Sequence, residues 1–369
     1  MLVLASLFMA SPAQQPASSQ PAPVLQAQAH EVVLPVTVRN KKGELVTSLK
    51  ISDFTLTEDS HPQKITSFTR ETSLPFRLGL LVDTSRSMTG AMESERKAAG
   101  KFVDTMLPEK PNAKSDQIFL IHFDREVELL YDFTASRDKL HHELDEMGPS
   151  RDAQSESRNT DSGGNNNSGG QGQGRMRGRR STTQLYDAIY LASDEVMKKQ
   201  EGRKALVVFS DGVDRGSKMT LNDAVDAADK AGLAVYTIYL KGEEERPAGA
   251  GIPGMGGEHR GGMGGGGYPG GGGGRRGGDE GQPAIDGKKI MEKIATRTGA
   301  RYFEAKKKDN LDEIYGQIAE ELRGQYLLTY TPDKVDPDGG FHKIALKASN
   351  GDLIVVTREG YYAPSGDAK

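Results

Sequence analysis

The sequence predicts an α/β fold: a doubly wound, mostly parallel sheet of Rossmann-like character, inserted in or flanked by a small antiparallel β module. Three observations carry this reading. Two runs, Leu78-Gly79-Leu80-Leu81-Val82 and Leu206-Val207-Val208-Phe209, are apolar without alternation, as strands covered on both faces are. Around them, apolar strands alternate with stretches of helical periodicity. Towards both ends of the chain the pattern changes to the alternation of antiparallel strands.

In chain order, Met1 to Ala10 is apolar but too short to cross a bilayer, and Ser11-Pro12-Ala13 offers small residues to a peptidase. Residues 1–23 therefore read as a signal peptide followed by a Gln/Pro/Ser/Ala linker, and an exported protein, periplasmic or extracellular, is expected. Residues 24–75 form an N-terminal β segment, with strands at Val32 to Val38, Leu45-Val46 and Phe54 to Asp59 and a turn at Lys41-Lys42-Gly43. The α/β domain is expected over 76–324. Its helices are placed at about Ala91–Met106, Ser136–Met147, from Thr183 onward, Leu221–Ala231, Asp286–Thr298 and Leu311–Leu322. Further strands fall at Gln117–Phe123, at an edge over Glu126–Phe133, and at Ala234–Leu240. Residues 325–363 return to antiparallel strands at Tyr326–Tyr330, Phe341–Leu346 and Leu353–Val356, with Tyr361 and Tyr362 following, and 364–369 is a tail. Because the ends of one domain often lie close in space, the two β segments are expected to pack as one sandwich-like module.

Two low-complexity insertions interrupt the α/β domain. Residues 149–181 are rich in Ser, Asn and Gly, and 243–283 are dominated by glycine; neither carries enough apolar surface to offset its ordering entropy, so both are expected to be disordered. Arg175, Arg177, Arg179 and Arg180 close the first, where they serve as a solubilising tether or attract an acidic partner.

Composition excludes several functions. With 48 Lys and Arg against 52 Asp and Glu, the formal charge of −4 gives no bulk attraction to nucleic acid or anionic lipid. The Arg/Gly segments near Arg260 and Arg275 are sparse in arginine and aromatics, so RNA binding is the reading only for a cytoplasmic chain. Without cysteine there is no thiolate nucleophile or sulfur-ligated metal, and the adjacent His141 and His142 point to different faces of a helix. No nucleophile elbow or phosphate-cradling loop is present, and an enzyme is not expected.

Oxygen chemistry remains. Asp83, Ser85 and Ser87 spell D-x-S-x-S where the first buried run opens into a loop, the end of a parallel strand at which ligands collect. Asp124 and Asp214 also lie near strand ends and read as solvated loop acids. Together with Thr182-Thr183-Gln184-Leu185-Tyr186-Asp187 and Ser210-Asp211-Gly212, the motif resembles the von Willebrand factor A (VWA) domain over roughly Arg77 to Leu322. The flanking segments, among them Tyr326 to Tyr330 and Arg358-Glu359-Gly360-Tyr361, look like the exported bacterial VWFA-related family. The resemblance implies a metal-ion-dependent adhesion site of Asp83, Ser85, Ser87, Thr183 and Asp211, with Thr182 as the alternative threonine. It implies Mg2+ or Mn2+ as the ion, and as function the metal-dependent binding of a protein partner that presents an Asp or Glu. The alternative is an architectural envelope protein without a working metal site.

Overall fold

The computed structural model describes residues 31–70, 74–112, 115–148, 182–242, 286–306, 310–333 and 339–363. The expected signal peptide and linker, both insertions with their arginines, and the tail lie outside these residues.

The first four strands are β1 (Val32–Asn40), β2 (Phe54–Glu58), β3 (His61–Gln63) and β4 (Ile65–Thr69). A central sheet follows, built from β5 (Phe76–Asp83), β6 (Gln117–Phe123), β7 (Val127–Thr134), β8 (Arg203–Ser210), β9 (Ala234–Leu240) and β10 (Tyr302–Ala305). Its order is β10-β9-β8-β5-β6-β7, parallel throughout except for β7, which pairs antiparallel at the edge. The antiparallel edge needs no crossover, which lets β7 follow β6 after a short turn.

The apolar runs are continuous because both faces of the sheet are covered. One face packs against α1 (Met92–Met106), α2 (Arg137–Glu146) and, much later in the chain, the helix Leu311–Gly324. The other packs against α3 (Leu185–Leu191), α4 (Leu221–Lys230) and α5 (Gly287–Arg297); Leu311–Gly324 is therefore α6. Along β5, Leu78, Leu80 and Val82 enter the first core and Leu81 the second. Gly79 also faces the second, where a Cβ would stand 2.3 Å from Phe119 Cζ and 2.6 Å from Leu206 Cδ2. Only glycine admits that approach.

Local sequence sets the helix ends. Thr220 caps α4 by accepting the Asp223 N–H, and Asp286 caps α5 by accepting that of Lys289. Before α1, Arg86–Ala91 forms a tighter 3-10 segment, so the α-helix starts one residue later than its periodicity indicated. A π-helical turn over Ala192–Met197 continues α3, and the Ser193 hydroxyl donates back to the Ile189 carbonyl at 2.7 Å.

The remaining strands, β11 (Tyr326–Tyr330), β12 (Phe341–Ala348), β13 (Leu353–Val356) and β14 (Gly360–Tyr362), join the first four in two antiparallel sheets of order β13-β1-β11-β4 and β14-β12-β2-β3. A third core lies between them, with Leu34, Val36, Val38, Leu56, Leu328, Tyr330 and Ile344 among its side chains. Strand β1 pairs with β11 over Val32 to Val36 and with β13 only from Thr37 onward. Pro35, which has no N–H to donate, thus sits where one side of the strand asks for no ladder bond.

Every described bond or ion pair between this module and the central domain falls at the amino ends of the central strands. Arg39 of β1 reaches Glu321 near the end of α6, and the Glu359 N–H donates to the Arg297 carbonyl at the end of α5. The carboxyl ends of the central strands are left clear of it.

Candidate functional site

In the order β10-β9-β8-β5-β6-β7 the chain winds outward in both directions from the β5–β8 pair, so the carboxyl ends of these two strands form the switch point of the sheet. Asp83 ends β5 and Ser210 ends β8. The Ser210 hydroxyl donates to Asp83 Oδ2 at 2.6 Å, and the Ser85 N–H donates to Oδ1 at 2.9 Å. Ser85 and Ser87 hydroxyl oxygens stand 3.2 Å apart. Asp211 follows Ser210 directly, its Oδ1 taking the Val213 N–H at 3.0 Å and fixing the loop that carries it.

Gly242, just beyond β9, closes the group. A Cβ there would lie 2.4 Å from Asp211 Oδ2 and 2.8 Å from the Ser87 Cβ, so the Asp211 carboxylate and Ser87 both abut this backbone. Nothing local in the sequence marks this glycine, since glycines crowd the stretch after it.

Asp83 is fully buried, and burial, reinforced by the nearby Asp211 charge, pushes its carboxyl up to about 7 against the hydrogen bonds from Ser210 and Ser85. Two acids and two hydroxyls thus share a space poor in compensating positive charge. The donors are all hard oxygens, the set that fits Mg2+ or Mn2+ rather than a soft metal.

Thr183 enters from the loop before α3. Its carbonyl accepts the N–H groups of Arg215 and Gly216, both at 3.1 Å, and the next residue, Gln184, donates its N–H to the Asp124 carbonyl at 2.9 Å. The loops after β6 and β8 therefore hold Thr183 between them, at the same end of the sheet as Asp83. Thr182 is half-buried beside Gly216, whose Cβ would lie 3.2 Å from the Thr182 Cβ.

Asp124 and Asp214 differ from the solvated acids expected of them. Asp124 is 3% exposed and takes N–H groups from Arg125 and Glu126. Asp214 Oδ2 accepts the Tyr186 N–H at 3.1 Å and the Ser217 hydroxyl at 2.5 Å, while Asp187 takes the N–H groups of Lys218 and Met219. Loop N–H groups away from water need acceptors, and these carboxylates supply them.

A family model for the von Willebrand factor type A domain matches residues 78–213. The central domain is a von Willebrand factor A domain. No curated protein matches the chain by sequence. Among solved structures, the chain is similar to proximal thread matrix protein 1 from the mussel byssus, with 13% identity, 72% of this chain and 51% of that one covered, and a TM-score of 0.45. It is also similar to an aerotolerance-related membrane protein from Bacteroides fragilis, at 16% identity, 67% and 98% coverage and a TM-score of 0.40. For a von Willebrand factor type A structure from Catenulispora acidiphila the values are 10%, 93% and 76%, and 0.41. The chain thus spans about half the length of the mussel protein. Among the described residues, no helix is long and apolar enough to cross a membrane.

Proposed function

We propose that the von Willebrand factor A domain binds one Mg2+ or Mn2+ ion through Asp83, Ser85, Ser87, Thr183 and Asp211, and through that ion binds a carboxylate presented by another protein. The observation that carries this reading is the meeting of Asp83, Ser85, Ser87 and Asp211 at the switch point of the sheet, with Gly242 leaving the space that a Cβ would fill. Three of the five ligands would be neutral hydroxyls. An ion so held, with an aspartate acting through water, keeps part of its positive charge and a replaceable water, and an acidic side chain is the natural ligand to take that place. The domain is then a binding module, not a catalyst. The apolar start of the chain supports export, where a binding face clear of the β module would meet its partner.

Calorimetry tests the ion. Full-length protein stripped with chelator gives a saturable one-site heat with Mg2+ and Mn2+, and Asp83→Ala and Asp211→Asn lose it. Acetate tests the vacancy: entering the coordination sphere of bound Mn2+, it displaces water and lowers the water-proton relaxation enhancement. Equal heats in the wild type and both variants refute the ion site; undiminished relaxation with acetate refutes the open position.

A further inference from the structure

In the antiparallel module, Glu58, Asp59 and His342 come together. Glu58 ends β2, and Asp59 and Ser60 make the turn into β3 with left-handed backbone, φ 47° and 68°. On β12, Ile344 is paired with Glu58, so His342, two residues earlier, projects from the same face. His61 is paired directly with Glu58 and shares that face as well. One oxygen of each carboxylate and one ring nitrogen of His342 lie within 4.8 Å of one another. His342 Nδ1 is 2.8 Å from Asp59 Oδ2 and 3.5 Å from Glu58 Oε1.

A single imidazole N–H serves one of these oxygens, and Asp59 is the nearer. Glu58, 5% exposed, is served on one side only: its Oε2 accepts the Tyr330 hydroxyl at 2.6 Å. Among the described residues its Oε1 has no partner closer than 3.5 Å, the contacts being His342 Nδ1 and the Tyr361 hydroxyl. A carboxylate oxygen withdrawn from water without a good donor is unfavourable, and a cation between it and Asp59 would satisfy both acids at once. Among the described residues His342 Nε2 has no hydrogen-bond partner, so the ring tautomer is free to present a bare Nδ1.

We propose that Glu58, Asp59 and His342 form a second divalent-metal site, of Zn2+ class, with His61 or water completing four-coordination. A mixed nitrogen and oxygen donor set suits zinc, whereas the oxygen-only set at the carboxyl end of the central sheet suits Mg2+ or Mn2+. Tetrahedral bonds of about 2.0–2.1 Å place ligand atoms about 3.3 Å apart. The 2.8 and 3.5 Å separations bracket that value. The remaining adjustment falls on Asp59, whose side chain is 47% exposed on its turn. The ion would tie the hairpin of the N-terminal β segment to a strand 283 residues further along the chain, stapling the module across its two halves. This site is independent of the one proposed for the central domain.

The test uses full-length protein, stripped with chelator and held in excess Mg2+ so that the oxygen site does not compete. Zn2+ is titrated by calorimetry, and Co2+ by visible absorption. One Zn2+ binds, Co2+ gives the intense bands of a four-coordinate ion, and zinc raises the melting temperature. Asp83→Ala retains all three signals, whereas His342→Gln and Asp59→Asn each weaken zinc binding by about tenfold or more. Zinc affinity unchanged in Asp59→Asn, or lost only in Asp83→Ala, overturns the proposal. Should His342→Gln fail to fold, Asp59→Asn on the exposed turn decides alone.

Discussion

Glu95 offers the sharpest test of how burial sets energy in this molecule. It lies in the first turn of α1, fully buried, with the Tyr315 hydroxyl of α6 donating to its Oε1 and, among the described residues, no partner on Oε2. Burial pushes its carboxyl from the ordinary 4.5 up to about 8, the Tyr315 hydrogen bond opposing the rise. A negative charge near a helix N-terminus is favoured by about 0.3–1 kcal/mol, too little to reverse the effect. At 1.36 kcal/mol per pH unit, full ionisation would cost the fold about 5 kcal/mol. The folded carboxyl binds its proton more tightly than the unfolded one, so its stabilisation is complete below pH 4.5 and is lost as pH rises to about 8. Between pH 6 and 9 the wild type loses about 2–3 kcal/mol on this account. Glu95→Gln mimics the neutral acid. Urea unfolding should find the variant already more stable by about 2 kcal/mol at pH 6, where the unfolded carboxyl is ionised and the folded one is not, and by about 5 kcal/mol at pH 9. Other titrating groups cancel in the difference between the two proteins. Parallel stability curves from pH 6 to 9 would refute the argument.

Three further substitutions probe the architecture. Gly242→Ala puts a Cβ against Asp211 Oδ2 and Ser87, and should weaken Mg2+ and Mn2+ binding by about tenfold, near 1.4 kcal/mol, with little change in melting temperature; calorimetry and thermal unfolding read the two quantities separately. Gly79→Ala drives a Cβ into Phe119 and Leu206 within the central sheet and should cost about 1–3 kcal/mol in urea unfolding. Glu321→Ala strips Arg39 and Arg301 of their shared buried partner and should cost about 3–5 kcal/mol by the same assay.

The fold class was legible because its signal is local. A strand covered on both faces must be apolar at every position, and Leu78 to Val82 and Leu206 to Phe209 could be read without knowing what covers them. Strand β10 escaped notice: four residues, of which Tyr302 is half-buried and Glu304 exposed, carry no periodicity. The D-x-S-x-S spacing was legible for the same local reason, whereas Gly242 joins the site through a backbone approach that composition cannot reveal. Asp124 and Asp214 were misjudged as solvated because an acid in a polar loop looks alike in sequence whether it faces water or a ring of N–H groups. The histidines looked unsuited to metal because their spacing along the chain is wrong; His342 finds Glu58 and Asp59 only through sheet register, 283 and more residues away.

Helix α6 connects the two ends of the central domain energetically. Near its start Tyr315 bonds Glu95, in the helix that follows the Asp83–Ser87 loop; near its end Glu321 holds Arg39 of the β module and Arg301 ahead of β10. Six residues separate the two anchors, about 9 Å along the helix axis. Sites that far apart, with no shared partner, should combine additively to within about 0.5 kcal/mol if α6 merely packs in place. A helix that moves as one rigid body would behave otherwise, since freeing one anchor would let it slide and relieve the other. The double variant Tyr315→Phe/Glu321→Ala, which removes both anchors, compared with the two single variants by urea unfolding at pH 6, separates these cases. Additivity makes α6 a passive wall of the core, and a deviation beyond that margin makes it a route that couples the β module to the carboxyl end of the central sheet.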